Sequence, residues 1–172
     1  MRSVLLAAVG LAITGGALAA QHEHPQSPYA DLKGREIKAL SAEELQQYEA
    51  GEGMGLALAA ELNRYPGPLH ALGLADELAL SEEQTARVQE ARDTMRYRAA
   101  QLGRRIIEHE RALDAAFVEQ TIDEARLESM TAEIGRLQGE LRFVHLRAHL
   151  AMVRILSPEQ VNRYEMLRGY AH

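Results

Sequence analysis

The chain of 172 residues carries 19 basic and 25 acidic side chains, a formal charge of −6, with no cysteine, no tryptophan and only 5% aromatics. An acidic balance excludes a general nucleic-acid binder, because phosphate contact needs a net basic surface, and a chain without cysteine depends on packing and assembly in place of disulfides. Alanine, leucine, glutamate and arginine dominate, and no run alternates Val, Ile, Thr and Tyr as strands do, so the fold class is all-α.

Residues 1–19 read as a secretory signal peptide: Met1-Arg2, an apolar run from Val4 to Ile13, then small residues ending in Ala17-Leu18-Ala19. That run is shorter than the ~20 residues of a membrane span, so the expectation is export to a periplasm without membrane insertion. Loss of Arg2 with the leader would make the mature chain slightly more acidic. Residues 20–40, which include "QHEHPQSPYADLKGREIKA", are polar and aperiodic and predict a flexible arm ahead of a helical domain over 41–172. His22 and His24 in that arm are a tail by default, with weak metal capture as the functional alternative.

One signal then recurs three times. "LSAEE" at 40–44, "LSEEQ" at 80–84 and "LSPEQ" at 156–160 each give an apolar residue, a serine N-cap and Glu or Gln three residues later. In such a capping box the serine oxygen accepts a backbone N–H, and the third side chain reaches back to the N–H of the cap. Three helix starts are marked in this way. The first helix, from about Ala42 to Asn63, contains "GEGMG" at 51–55 and is expected to be weak or interrupted, since each glycine costs roughly 1 kcal/mol relative to alanine. "YPGP" at 65–68 ends it, and a short helix from about Leu69 to Leu78 follows.

Two long apolar seams come next. Val88, Ala91, Met95, Ala99, Leu102, Ile106, His109, Leu113 and Phe117 step by three and four, as do Leu127, Met130, Ile134, Leu137, Leu141, Val144, Ala148, Ala151 and Ile155. "VEQTID" between them is short, with Thr121-x-x-Glu124 as a further box, so the two helices fold back as an antiparallel hairpin. The register sets Leu113 near Met130, Ile106 near Leu137, Leu102 near Leu141 and Met95 near Ala148. A bare hairpin buries only one narrow stripe per helix, so the shorter first and last helices, or a second subunit, must cover it.

The pair "LSEEQ" and "LSPEQ", with Leu80, Ser81, Gln84, Leu156, Ser157 and Gln160 as its defining residues, resembles the Leu-Thr-x-x-Gln repeat of the Spy/CpxP family of periplasmic proteins, with serine in place of threonine. The likeness covers roughly Pro66 to Gly169. It implies a small all-α homodimer in which hairpins form a curved cradle. It also implies one of several roles: an ATP-independent chaperone, an inhibitor of envelope-stress signalling, or a periplasmic heavy-metal sensor or zinc-responsive protein.

Two sets of residues carry candidate chemistry. In "VHLRAHLAM" at 144–152, His145, His149 and Met152 stand at i, i+4 and i+7. Two imidazoles and a thioether suit copper, zinc or nickel, and His70 after "YPGP" is the candidate to bring a second helix. The resemblance to the metal sensors implies ligands from an early helix joined to a His and a Met on the late one. With "LSPEQ" as anchor, Met152 falls at a ligand position and the histidines stand one residue out of step. His145 and His149 each follow a seam position, so the plainer reading makes them flank residues that pack on the first helix and make hydrogen bonds; His109, on the seam itself, reads as a hydrogen-bonded core residue.

The second set is a band of Arg92, Arg96, Arg98, Arg104, Arg105, Arg142 and Arg147, with Arg136 on the facing helix. It is either a client surface for unfolded or misfolded periplasmic proteins or a solvated face neutralised by Glu90, Glu108 and Glu140. No phosphate loop, G-x-S-x-G or H-E-x-x-H occurs, so no enzyme is expected and no cofactor is required. The first functional expectation is a chaperone-like client binder of the envelope stress response. The alternative is a heavy-metal sensor or buffer, and a third reading is a partner of a membrane signalling kinase.

Overall fold

The computed structural model describes residues 27–171, and the helical body starts at Leu32. The expected leader (1–19), residues 20–26 of the expected arm and His22 and His24 lie outside the described residues. Six α-helices follow one another: α1 (Ala42–Ala50), α2 (Leu58–Glu61), α3 (Pro68–Gly73), α4 (Glu82–Val118), α5 (Glu124–Ile155) and α6 (Pro158–Leu167). No strand occurs among the described residues.

Each serine box caps a helix in full. Ser41, Ser81 and Ser157 accept the N–H of Glu44, Gln84 and Gln160, and those side chains accept the N–H of their serines. The two glutamines then go further and pair with each other. Gln84 Nε2 donates to Gln160 Oε1 at 2.8 Å, and Gln160 Nε2 donates back to Gln84 Oε1 at 3.0 Å. The same amides reach the carbonyls of Ile155 at 2.9 Å and Leu78 at 3.2 Å. The paired boxes therefore clasp the open end of the hairpin, where chain segments far apart in sequence converge.

α4 and α5 form the antiparallel hairpin, and Ala99, Ile106, Leu137 and Leu141 make its middle core with Leu102 and Val144, as the predicted register requires. At the clasped end Ala71, Leu78, Val88, Met152, Leu156, Val161 and Tyr164 form a second core, so α3 and α6 cover that end. α1 crosses α4 at Gly103, where an added Cβ would stand 2.1 Å from the Tyr48 carbonyl oxygen. Only glycine permits that approach.

Four local expectations are corrected. The arm predicted over 20–40 is packed at its end: Ile37 and Leu40 are buried against Ile107, and Lys38 Nζ meets Asp114 Oδ2 at 3.2 Å. The helix expected to reach Leu78 stops at Gly73 and gives way to turns. α5 is capped by Asp123, which accepts the Arg126 N–H at 2.8 Å, and not by Thr121. Phe117, expected on the seam, is 53% exposed, because the covering helices lie elsewhere along the hairpin. The break expected in the first helix is present: Gly51 takes φ +67° as the C-cap of α1, and Gly55 is also left-handed.

Candidate functional site

A cavity of about 290 Å³ lies among α2, α3, α4 and α5, with Glu61, His70, His145, His149, Met54 and Met95 contributing the side chains able to act as ligands. Its remaining lining is mostly apolar, with Leu58, Pro68 and Leu69 among it.

His145 and His149 stand on the flank of the hairpin, beside the seam of α5, and are covered there. They are 2% and 8% exposed, because α2 and α3 cover the side of α5 next to its seam with α4. Burial, with His149 alongside, pushes the pKa of His145 below its usual value, which leaves the ring neutral. His145 Nε2 is buried without a hydrogen-bond partner. His149 Nδ1 lies 2.8 Å from the Tyr65 carbonyl; since a carbonyl only accepts, Nδ1 carries the proton and Nε2 the free lone pair. A backbone carbonyl of this kind fixes the tautomer and ring orientation of a ligating histidine.

Glu61, at the C-terminal end of α2, is 6% exposed and divides its two oxygens between two neighbourhoods. Oε1 accepts from Tyr164 Oη at 2.5 Å and from Tyr170 Oη at 3.2 Å, with Arg168 Nε at 3.6 Å. Burial, with the bond to Glu61, holds the Tyr164 phenol far above its usual pKa, so it stays a donor. Oε2 is buried and unpaired, 3.6 Å from His149 Nδ1. An added Cβ on Gly67 would stand 3.1 Å from Glu61 Oε2 and 3.4 Å from His149 Nε2, so the glycine keeps open the space between these two donors.

His70, exposed on α3, joins the cavity through Glu61, with Nδ1 3.4 Å from Oε1. Met152 does not join it. This residue is fully buried in the apolar core with Val88, Leu156 and Tyr164, and Met54 and Met95 supply the thioethers of the cavity instead. The sequence reading missed Glu61, Tyr164, Tyr170, Met54 and Met95. A signal for Glu61 exists: it is the one carboxylate in the apolar stretch "ALAAEL" at 57–62. Among the described residues no three His, Cys, Asp or Glu side chains stand close enough to make a closed metal site. The donors share a cavity but are not drawn together at one point.

His109 is a half-exposed residue whose Nε2 is 4.0 Å from Glu133 Oε1, not the core residue expected. The arginines expected as one band divide between two faces. Arg92 and Arg96 lie on the α1 side, where Arg96 Nε donates to the Ala50 carbonyl at 3.2 Å. Arg98, Arg104, Arg105 and Arg147 line a groove along the other face of the hairpin with Tyr97 and Phe143, which are 66% and 61% exposed. Arg142 is exposed and outside that lining. Arg136 is neutralised by Glu133 and Glu140, and Arg105 meets Glu133 at 3.2 Å.

Residues 53–163, which run from the "GEGMG" loop to α6, match a family described as heavy-metal resistance. No curated protein and no solved structure matches the chain.

Proposed function

This chain belongs to the heavy-metal resistance family, and from that premise we propose that it is a periplasmic protein that senses or buffers a transition-metal ion in the cavity beside α5. The observation that carries this reading is the pair of buried, unpartnered donors, Glu61 Oε2 and His145 Nε2, that line one cavity with His149. A buried polar atom without a partner is costly, and a cation would satisfy both donors at once. The donors suit such an ion by their chemistry and share one cavity, although they do not stand at one point: His145, His149 and Glu61 would close on the ion as it binds, with His70 at the rim, and the ion would supply the charge that draws them together. Export is the matching proposal for location; no helix among the described residues is long and apolar enough to cross a membrane.

Calorimetric titration of the protein with copper, zinc and nickel ions at neutral pH tests the reading. Binding at micromolar or tighter dissociation constants is expected, with loss in the His145→Ala/His149→Ala variant and in Glu61→Gln. Absence of heat for all three ions would remove the proposal.

A second reading, capture of unfolded clients, has one observation in its favour: the groove with four arginines and two exposed aromatics on the face of the hairpin away from the cavity. Suppression of aggregation of a denatured client, lost in Arg98→Glu/Arg147→Glu, would support it. The family assignment favours the metal over the client.

A further inference from the structure

Met54 sits between Gly53 and Gly55 in the loop joining α1 to α2, with φ +46°. A long side chain rarely takes the left-handed region, and the strain persists only where the surroundings impose it. They do so here: Gly51 seats the loop so tightly on α4 that an added Cβ would stand 2.5 Å from the Arg96 carbonyl oxygen, and Gly55 reverses the chain at φ +74°. The result of this arrangement is that Met54 lines the cavity of His145, His149 and Glu61, along with Met95 from α4. Two thioethers thus arrive on elements different from the helix that bears the histidines.

We propose that the cavity selects a soft monovalent cation of the copper(I) or silver(I) class, with Met54 and Met95 as thioether ligands beside the two imidazoles. This rests on the metal reading given above and names the class of ion. Neutral thioether sulfur is a soft donor that favours copper(I) and contributes little to zinc or nickel. Charge points the same way. Glu61 is the one carboxylate of the lining, and Arg168 already faces it at 3.6 Å. Each further unit of positive charge in this mostly apolar cavity is poorly compensated, so a singly charged ion is favoured over a doubly charged one.

The test uses silver(I), copper(I) held by a chromophoric chelator, and zinc(II), titrated into the full chain, into Met54→Leu/Met95→Leu, and into His145→Ala/His149→Ala. The parent protein should bind silver(I) and copper(I) more tightly than zinc(II). The methionine variant should lose at least about tenfold in affinity for the monovalent ions while zinc(II) affinity stays within about twofold, and the histidine variant should lose all three. Methionine methyl NMR gives a readout independent of affinity: silver(I) should shift the methyls of Met54 and Met95 and leave Met152, sealed in its core, unmoved. Full monovalent affinity in the methionine variant, unshifted Met54 and Met95 methyls, or tighter zinc(II) binding would overturn the inference while leaving the metal reading intact. Absence of binding by every ion would overturn both.

Discussion

Glu61 is buried and aimed at once, and the phenols of Tyr164 and Tyr170, both donating to Oε1, hold it in that arrangement. Replacement of Tyr164 by Phe removes the 2.5 Å donor without changing the volume much. The expected loss is about 1–3 kcal/mol of stability, read from the denaturant midpoint, and a weaker hold on any cation, because Glu61 is no longer oriented. Gly67→Ala makes a cleaner probe. The backbone there is extended, at φ −80° and ψ 137°, so alanine introduces no backbone strain, yet its methyl would stand 3.1 Å from both Glu61 Oε2 and His149 Cε1 and fill the space between Glu61 Oε2 and His149 Nε2, each side chain giving by a few tenths of an ångström. Thermal unfolding should change little and metal binding should fall. A different carboxylate reports on pH. Glu44 is held below its ordinary value of 4.5, chiefly by the Ser41 N–H and then by the Ser41 hydroxyl. A depressed folded value means that the stabilisation is complete above about pH 4.5 and disappears as pH falls through the folded value. Glu44→Gln keeps the capping geometry and titrates nothing, so its melting temperature should fall less steeply in acid. At this scale the histidines at 145 and 149 are legible as donors from spacing, but their burial is not. A seam derived from one periodicity assumes one covering helix, and here α2 and α3 bury a second strip of α5.

Among the elements, helix starts are the most legible feature, because a serine cap with its third-residue partner is local chemistry that tertiary contacts rarely override. All three serine boxes appear where the sequence places them. The mutual bond between Gln84 and Gln160 was not legible, since each glutamine is fully explained by its own cap. A double-mutant cycle on Gln84→Ala and Gln160→Ala should show a coupling of about 0.5–3 kcal/mol, as residues in one hydrogen-bond network do; strict additivity would reduce the clasp to two separate caps. Helix crossing was equally hidden. Gly103→Ala should destabilise by about 1–3 kcal/mol, because α1 must lift from α4 to clear a contact of 2.1 Å. Gly135→Ala, on an exposed part of α5 with nothing within 4 Å, should stabilise by about 0.5–1 kcal/mol. The two substitutions are the same chemistry in opposite surroundings, and urea denaturation of each separates helix propensity from packing.

Over the whole molecule the fold class and the hairpin follow from the two periodic segments, and the cavity does not. It depends on where α2 and α3 settle, and that is decided by long-range packing with no local signature. Cover is also uneven along the hairpin. The clasped end has a full core from α3 and α6, the middle has α1 and the segment around Ile37, and toward the turn Phe117 and Val118 are exposed. Hydrogen exchange should therefore be fastest over the last turns of α4 and the first turns of α5 and slowest around Val88 and Met152. The clasp between Gln84 and Gln160 has one more consequence. It ties the hairpin shut at the end that houses the cavity, so the distal end behaves as an adjustable length of rod. Matched whole turns could be inserted or excised near Gln120 without disturbing a side chain of the cavity, and natural variation in chain length should concentrate there.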